Sequence, residues 1–277
     1  MKRPMHKSIE ELQVIARRVR REIVEMIGAA KSGHPGGSLS AVEILVELYF
    51  NRMNIDPKNP KLPDRDRFIL SKGHAAPVLY AVMAEAGYEQ TPLDKLDTLR
   101  KMGSVYQGHP DMRYIPALEA STGSLGEGLS LALGMGFAAR MDGRKSRTYV
   151  MMGDGEIQEG QVWEAAMAGA FHKLDNVVAI VDYNGIQLDG FVKDIMDVAP
   201  LADKWRAFGW HTIELDGHDL HAIDAAFTEA EATKGKPTCL VAHTVKGKGV
   251  SFMENNPKFH GTAPSADEVK LAMQELQ

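Results

Sequence analysis

Apolar positions near the N-terminus recur with the period of an α-helix. The apolar face of this segment consists of Leu12, Ile15, Ala16, Val19, Ile23, Met26 and Ile27. Ser8 and Glu11 precede it in the spacing of a capping box, in which each side chain binds an otherwise unpaired backbone N–H. The pattern therefore predicts a helix that begins after Ser8 and ends near Ala30, where a glycine-rich loop over residues 32–37 follows.

Short, continuous apolar runs elsewhere predict strands that are buried on both faces. The predicted strands cover residues 67–71, 147–152, 177–183, 211–215 and 238–245. Helical patterns cover residues 40–49, 77–86, 92–102, 129–141 and 220–233. A second capping box, Ser265 with Glu268, begins the last helix. Strands that alternate with helices predict an α/β fold, a three-layer α/β/α sandwich around a mostly parallel sheet, with residues 1–277 in a single domain.

The composition of the chain argues against a nucleic-acid-binding or membrane-spanning protein. With 44% hydrophobic and 25% charged residues the chain is typical of soluble globular proteins, and its net charge of -5 offers no basic surface to nucleic acid or anionic lipid. No apolar run reaches the roughly 18–20 residues that span a membrane, and no apolar segment follows the basic N-terminus. We therefore expect a cytoplasmic protein. The single cysteine, Cys239, falls in an apolar run and is expected to be a buried, unpaired thiol.

Residues 149–190 combine a predicted strand, a glycine turn, a helix, a second strand and a polar turn. The glycine turn places Asp154 between Gly153 and Gly155, and the polar turn contains Asn184. Because a βαβ unit returns the chain to the same edge of a parallel sheet, the two oxygen-bearing side chains should be neighbours. Each residue alone is also explained as an ordinary turn residue, but that explanation does not predict their pairing.

Oxygen ligands from these two turns would suit a divalent cation that holds a diphosphate. Mg²⁺ takes oxygen ligands from a few protein groups and from phosphates, and Asp154, the Asn184 amide and the Ile186 carbonyl would supply the protein's share. The glycines beside Asp154 let backbone N–H groups approach a phosphate, and a helix that begins near Glu159 directs its positive end towards it. The choice between Mg²⁺ and Ca²⁺ stays open.

Glycine- and histidine-containing segments in the rest of the chain extend this pattern to a known family. They are Ser32-Gly-His-Pro-Gly36, Ser71-Lys-Gly-His-Ala75, Gly108-His-Pro110, Thr122-Gly-Ser-Leu-Gly126 and Gly153-Asp-Gly-Glu-Ile-Gln-Glu-Gly160. In this order, and with Asn184 after them, they resemble the signatures of transketolases, which are thiamin diphosphate enzymes. The resemblance runs from about residue 10 to His260-Gly261.

The resemblance implies which residues hold the cofactor. The metal ion would be bound by Asp154, Asn184 and the carbonyl of Ile186. Thiamin diphosphate would be contacted by His74, Gly123, Ser124, Leu125, Gly153, Asp154, Gly155, Glu156, Asn184, Ile186, Leu188 and His260. Of these, His74 would lie near the diphosphate and Leu188 against the thiazolium ring.

The resemblance also implies catalytic residues. His34, His109 and His260 would face the substrate, because an imidazole with a pKa near neutrality can exchange protons with a sugar. Glu159 would either cap a helix or join a carboxylate network across a subunit boundary. The histidines without a matching motif are expected to be ordinary loop or core residues: His6, His172, His211, His218, His221 and His243. Lys246 and Lys248 are expected to be solvated or to steer anions rather than to act in catalysis.

A full-length transketolase continues into a pyrimidine-binding domain and a C-terminal domain, whereas this sequence ends at Gln277. The resemblance therefore implies the N-terminal subunit of a split transketolase. Its partner, a C-terminal transketolase subunit with the pyrimidine-binding domain, would supply the glutamate that activates the cofactor, in a heterotetramer. The implied reaction transfers a two-carbon ketol unit from a ketose phosphate such as xylulose 5-phosphate to an aldose phosphate such as ribose 5-phosphate, through a thiamin diphosphate carbanion.

Other interpretations stay open on the sequence alone. The α-subunit of a thiamin diphosphate 2-oxoacid dehydrogenase is one, although the His-Pro and Lys-Gly-His loops argue against it. The related 1-deoxyxylulose 5-phosphate synthase normally carries both cofactor domains in one chain. A split transketolase for an unusual sugar phosphate and a non-catalytic thiamin diphosphate-binding protein are further alternatives. A Rossmann dinucleotide site is disfavoured, because no Gly-x-Gly-x-x-Gly follows a strand at residues 123–128.

Overall fold

The computed structural model describes residues 7–188 and 190–277. Within these ranges the strands are, in chain order, β1 (Arg67–Leu70), β2 (Thr148–Gly153), β3 (Val177–Tyr183), β4 (Ile186–Gln187), β5 (Gly190–Phe191), β6 (His211–Asp216) and β7 (Thr238–His243). One sheet has the order β1-β2-β3-β7-β6, and each of its neighbouring pairs is parallel. β4 and β5 form a separate antiparallel pair. The predicted parallel sheet is therefore confirmed.

Helices connect these strands. The α-helices are α1 (Ile9–Ala30), α2 (Pro35–Leu39), α3 (Val42–Glu47), α4 (Ala76–Glu85), α5 (Gly128–Met141), α6 (Gly160–Phe171), α7 (Val192–Ile195), α8 (Leu201–Ala207), α9 (Leu220–Ala232) and α10 (Ala266–Glu275). A π-helical turn covers Leu48–Arg52, and 3₁₀ turns cover Gly73–Ala75, Leu93–Thr98, Glu156–Gln158 and Pro257–His260. In the described ranges no helix combines the length and apolar character needed to cross a membrane.

Alternate side chains of the central strands face opposite layers of helices. In β2, Tyr149 and Met151 belong to a core shared with α1, α3, α4 and α9, whereas Val150 and Met152 belong to a second core shared with α5, α6 and α8. Successive side chains of a strand point to opposite faces of the sheet, which makes this division possible. With helices on both faces, the predicted three-layer α/β/α sandwich is confirmed. Cys239 of β7 is buried in the second core as a free thiol.

The predicted N-terminal helix is confirmed in its bounds, its cap and its buried face. The Ser8 Oγ accepts from the Glu11 N–H at 3.3 Å, and Glu11 Oε2 accepts from the Ser8 N–H at 2.8 Å. Every apolar position predicted for this face is buried. Ser265 and Glu268 form the second predicted capping box at the start of α10. His6 lies outside the described residues.

Residues 35–39 form the short helix α2, although the glycines in this region predicted a loop. Pro35 takes its first position, where a proline needs no N–H and its fixed φ suits a helix. Close packing requires glycine at position 36, where a Cβ would lie 2.9 Å from the Phe259 carbonyl oxygen. A Cβ on Gly37 would only reach van der Waals contact with the His74 ring, at 3.5 Å. The composition of this segment therefore reflects crowding and not a loop.

The prediction of a helix over residues 92–102 is wrong. Here Leu93–Thr98 form a 3₁₀ turn, and Arg100 adopts a left-handed conformation with φ of 59°. The backbone N–H of Arg100 donates to the Tyr106 carbonyl at 2.8 Å. The chain reverses direction at this contact, so a helix cannot continue to residue 102. The periodicity of the segment gives no sign of the contact.

The loop after β1 packs against a second loop at Gly73. A Cβ on Gly73 would lie 2.7 Å from the carbonyl carbon of Thr122 and 2.8 Å from the Gly123 nitrogen. We expect Gly73→Ala to lower the free energy of unfolding by about 1–3 kcal/mol, the usual cost of overpacking, in urea-induced unfolding. Gly134 of α5 is the control, since no described heavy atom lies within 4 Å of its Cβ position. Gly134→Ala should raise stability by up to about 1 kcal/mol, and equal stability of the two variants would contradict the prediction.

Candidate active site

A cleft of about 380 Å³ lies at the carboxyl ends of β1, β2, β3 and β7, the edge at which open parallel sheets bind ligands. Its lining includes the candidate residues His34, His74, His109, Gly123, Leu125, Gly153, Asp154, Gly155, Glu156, Glu159, Asn184, Ile186, Leu188 and His260. The remaining candidate, Ser124, does not line it, and its Oγ donates to Glu127 Oε1 at 3.1 Å. The motif-bearing loops therefore converge, while the roles assigned to their residues stay predictions.

Parallel pairing of β2 and β3 brings the glycine turn next to the polar turn. Gly153 pairs with Asp182 at the end of the register, and the backbone N–H of Asp154 donates to the Asp182 carbonyl at 3.3 Å. Beyond the strands, Asp154 Oδ2 accepts from the Gly185 N–H. The expected closeness of Asp154 to the turn that carries Asn184 is confirmed.

Three oxygen groups at this point fit a hard divalent cation. Asp154 offers a carboxylate, Asn184 an amide oxygen and Ile186 a backbone carbonyl. The described residues contain no group of three or more His, Cys, Asp or Glu arranged to hold a metal by themselves. A mixed set with one carboxylate is nevertheless the kind that Mg²⁺ completes with phosphate oxygens and water. The residues present therefore fit a cation that arrives with a diphosphate.

The orientation and charge of these ligands are set by their neighbours. The Asn184 Nδ2 donates to Asp182 Oδ2 at 2.9 Å, and the Asn184 Oδ1 accepts from the Ile186 N–H at 3.1 Å, so the amide is held from both sides. Burial, and then the nearby Asp182 carboxylate, raise the pKa of Asp154 to about 6. A carboxylate whose ionised form is disfavoured in this way is stabilised by a cation placed beside it.

Asp182, near the end of β3, is a fully buried carboxylate shared by donors from several elements. Its Oδ2 accepts from the Lys72 ammonium group and from Ser40 Oγ, the latter at 2.6 Å. Asn184 Nδ2 and Thr244 Oγ1 also donate to it. Burial opposes ionisation, but the Lys72 ammonium group holds the pKa of Asp182 below its usual value. The carboxylate thereby joins the loops that follow β1, β3 and β7.

Two lysines that were not predicted as site residues line the cleft. The lining also includes Gly37, Lys72, Gln158, Gln187 and Lys246. Lys72 and Lys246 are only 1% and 2% exposed, so the expectation of a solvated Lys246 is wrong. Lys246 Nζ donates to the Ile186 carbonyl at 2.7 Å and lies 2.9 Å from His260 Nδ1, and burial lowers its pKa to about 8. Its place directly after β7, at the ligand-binding edge, is the signal that would have found it.

His34, His74, His109 and His260 form a histidine wall along the cleft. The His34 ring centroid lies 5.2 Å from that of His74, 5.6 Å from that of His260 and 6.5 Å from that of His109. The rings of His74 and His260 are stacked at 5.2 Å. His34 lines the cleft, and its Nδ1 is buried and lacks a hydrogen-bond partner among the described residues.

The imidazoles of the histidine wall are neutral at pH 7. Burial lowers the pKa of His34 to about 4 and that of His260 to about 3, with further lowering by Arg100 at His34 and by Lys246 at His260. Burial also lowers the pKa values of the other two rings. These histidines therefore lack the pKa near neutrality that was expected of them. Neutral imidazoles still offer one donor and one acceptor each, which suits sugar hydroxyl groups.

Two glutamates after the glycine turn differ in environment. Glu156 is buried and accepts from the N–H groups of Gly126 and Gly153, each at 3.0 Å, and from Ser71 Oγ, so it ties the glycine loops together. Glu159 occupies the N-cap position of α6, yet within the described chain its side chain forms no capping hydrogen bond. Glu159 therefore takes the cap position that was expected, without a capping bond from its side chain, and a network across a subunit boundary stays a prediction.

The other described histidines lie away from the cleft, as expected: His172, His211, His218, His221 and His243. A second cavity of about 580 Å³ is lined by residues of the opposite sheet end, such as Asp66 and Arg147. Its lining contains as many acidic as basic side chains, so it favours no particular charge on a ligand. The chemistry predicted from the sequence is confined to the smaller cleft.

The fold and the cleft define a class of protein: an α/β domain whose ligand cleft, lined by oxygen groups and histidines, lies at the carboxyl edge of a parallel sheet. Residues 11–277 match the family model described as transketolase, thiamine diphosphate binding domain. The chain therefore belongs to the transketolase family, whose named relatives are transferases. The resemblance inferred from the motifs is confirmed.

Relatives of two lengths match the chain. It is 45% identical to the 6-deoxy-6-sulfo-D-fructose transketolase subunit SqwG of Clostridium sp. (strain MSTE9), with 96% of each chain covered. It is 44% identical to an apulose-4-phosphate transketolase subunit from Actinobacillus succinogenes, with 99% of each covered. The solved transketolase of Campylobacter jejuni superposes with a TM-score of 0.92 at 32% identity, over 98% of this chain and 43% of that one. The chain thus spans less than half of such longer transketolases.

The lowered pKa values predict how stability depends on pH. An unfolded histidine, with a pKa near 6.5, binds a proton more readily than folded His34 or His260, so protonation favours unfolding. We expect the free energy of unfolding to fall as the pH decreases from about 6.5 towards about 4. Urea titrations across this range should show a weaker pH dependence in His34→Asn. The control is His221→Asn, which removes an exposed histidine outside the cleft, and identical slopes in both variants would contradict the prediction.

Proposed function

We propose that this chain is the thiamin diphosphate-binding subunit of a two-subunit transketolase and that residues 1–277 form a single cofactor-binding domain. The observation that carries the proposal is the meeting, in one cleft, of the oxygen groups around Asp154 with the histidine wall. The first can anchor a diphosphate through a metal ion, and the second can face a reacting sugar. Family membership supports this combination, because the matched domain is described as thiamine diphosphate binding.

At the anchoring end, Asp154, Asn184 and Ile186 would hold Mg²⁺ or Ca²⁺. The Ile186 carbonyl has two lone pairs, so the bond from Lys246 leaves one for a cation. The turn itself needs glycine at position 155, since a Cβ there would lie 2.8 Å from the Gln187 Cβ. The buried ammonium groups of the two cleft lysines add positive charge next to the place where a diphosphate would lie.

At the reacting end, this chain would bind and orient the sugar and handle its protons. The bound cofactor supplies a carbanion for attack on a ketose carbonyl and an electron sink for carbon–carbon cleavage. His34, with its unpartnered Nδ1, would donate to or accept from a sugar hydroxyl, and His109 and His260 would complete the contacts. A non-catalytic cofactor carrier would need the anchoring end alone, so the histidine wall favours an enzyme.

Exposed apolar groups at the cleft support a partner chain. Leu125 and Leu188 line the cleft and are 39% and 66% exposed, and apolar surface of this kind is commonly covered in an assembly. The relatives that match over their whole length are named as subunits. We therefore expect a C-terminal transketolase subunit with the pyrimidine-binding domain as the partner, a heterotetramer as the assembly, and the cytoplasm as the compartment.

The substrates are proposed by class. A ketose phosphate such as xylulose 5-phosphate would be the donor and an aldose phosphate such as ribose 5-phosphate the acceptor. The names of the relatives favour a second candidate, because one refers to 6-deoxy-6-sulfo-D-fructose and another to apulose-4-phosphate. A sulfonated or branched sugar is therefore the alternative donor. Comparison of kcat/KM for both classes with the assembled enzyme would distinguish them.

Loss of the Asp154 carboxylate should weaken cofactor binding. We expect Asp154→Ala to weaken thiamin diphosphate binding in the presence of Mg²⁺ by at least about 10-fold, because even an outer-shell group of a metal site contributes that much. Isothermal titration calorimetry measures the effect. The control is Asp142→Ala, which removes an acidic side chain at the opposite end of the sheet. Undiminished binding by Asp154→Ala would end the metal assignment.

The purified chain alone should have no transketolase activity. Its own residues would hold the diphosphate and face the sugar, whereas the family's activating glutamate would come from the partner. We expect transfer from xylulose 5-phosphate to ribose 5-phosphate, or from a sulfonated or branched donor, to appear when the partner subunit is added. A coupled assay on the separate and mixed subunits tests this. Steady turnover by this chain alone would refute the two-subunit proposal.

A further inference from the structure

The loop that follows β7, residues 244–249, places Lys246 in the cleft. Its two glycines give the loop backbone little rigidity of its own. Gly247 and Gly249 adopt left-handed φ values of 82° and 92°, which glycine reaches most readily. On the cleft side the loop is tied by the Gly247 N–H, which donates to the Gly36 carbonyl at 3.0 Å. Its other side is held by two side chains from distant elements.

These side chains are His218 and Arg20. His218 Nε2 accepts from the Val245 N–H at 2.8 Å, and Arg20 Nε donates to the Lys248 carbonyl at 3.0 Å. Arg20 also packs on the end of the loop, since a Cβ on Gly249 would lie 2.9 Å from its Cδ. The two side chains therefore bind the residues on either side of the cleft lysine.

Both side chains are anchored on Glu43 of α3. The Arg20 guanidinium contacts both carboxylate oxygens, at 2.6 and 2.7 Å, and His218 Nδ1 lies 2.9 Å from Glu43 Oε2. Because His218 Nε2 accepts from Val245, the ring proton lies on Nδ1 and is donated to Glu43. Burial opposes ionisation, yet Arg20 and His218 bring the pKa of Glu43 down to about 2, so it is charged at neutral pH. One buried carboxylate thus directs both side chains.

We propose that Glu43 is a positioning residue, which fixes the 244–249 loop through His218 and Arg20 and so holds Lys246 where a diphosphate would bind. None of Arg20, Glu43 and His218 lines the cleft, so their effect on it passes through the loop. The link from Glu43 to the loop stands on the contacts alone. Its consequence for the cofactor rests on the proposed function.

Glu43→Gln tests the link, with Glu47→Gln as the matched control. Glu47 lies one turn further along α3, is fully buried and accepts from Arg52 Nε at 2.9 Å. We expect Glu43→Gln to accelerate amide exchange at Val245, and amine-directed labelling of Lys246, by about tenfold, the factor for loss of a charged hydrogen bond. Thiamin diphosphate binding with Mg²⁺ should weaken by a similar factor. Glu47→Gln should leave all three quantities unchanged.

A second pair of variants decides the question if Glu43→Gln does not fold. Glutamine at position 218 places its amide near Nε2 and can still accept from the Val245 N–H, whereas asparagine places its amide near Nδ1 and reaches Glu43 alone. Glutamine therefore keeps the contact to Val245 but loses the one to Glu43, and asparagine does the reverse. If Glu43 acts through His218, both variants should accelerate Val245 exchange and Lys246 labelling relative to the wild-type chain.

Several outcomes would overturn the inference. Wild-type exchange and labelling in His218→Gln, an unchanged loop in folded Glu43→Gln, or the same changes in Glu47→Gln would each do so. A loosened loop with unchanged cofactor affinity would overturn the positioning role. Failure of the wild-type chain to bind thiamin diphosphate even with its partner would count against the proposed function and the cofactor arm, while exchange and labelling would still test the link.

Discussion

Parallel pairing of β1, β2, β3 and β7 is the constraint on which the rest of the structure depends. Since all four strands run in one direction, the turns that follow them open at one edge, although they are far apart in the sequence. The register places Gly153 beside Asp182 and Asp182 beside Ala242, so neighbouring strands end nearly level. Asp154, the Asn184 turn and Lys246 then meet without any direct sequence relation between them.

The edge concentrates charges that a protein interior ordinarily excludes. Lys72 faces Asp182, and Arg20 faces Glu43, each in a buried pair whose disruption typically costs about 3–5 kcal/mol. The Lys246 ammonium group is buried too, and in the described part of the chain its Nζ forms hydrogen bonds only with neutral groups. The folded chain therefore keeps positive charge in a water-poor place before any ligand arrives. An anionic ligand would relieve that arrangement, which links the stability of the fold to its binding site.

Sequence reasoning succeeded where the signal was local or followed from βαβ topology. The capping box at Ser8, the sandwich and the pairing of Asp154 with the Asn184 turn are of this kind. It failed where long-range packing decides. Arg20 and Lys248 are 228 residues apart, so no periodicity could predict their contact. The burial of Lys246, in a Lys-Gly-Lys-Gly segment that is typical of a solvated loop, likewise depends on neighbours that only the folded chain brings together.

The position of Cys239 has a practical consequence for experiments in solution. It is the sole cysteine of the sequence, and burial in β7 raises the pKa of its thiol far above the usual range. Since the thiolate is the reactive form, the folded protein should be silent towards maleimides and similar reagents. A cysteine introduced on the exposed rim, at Leu188 for instance, would then carry a dye or spin label at one defined point. The native background offers single-site labelling without removal of any residue.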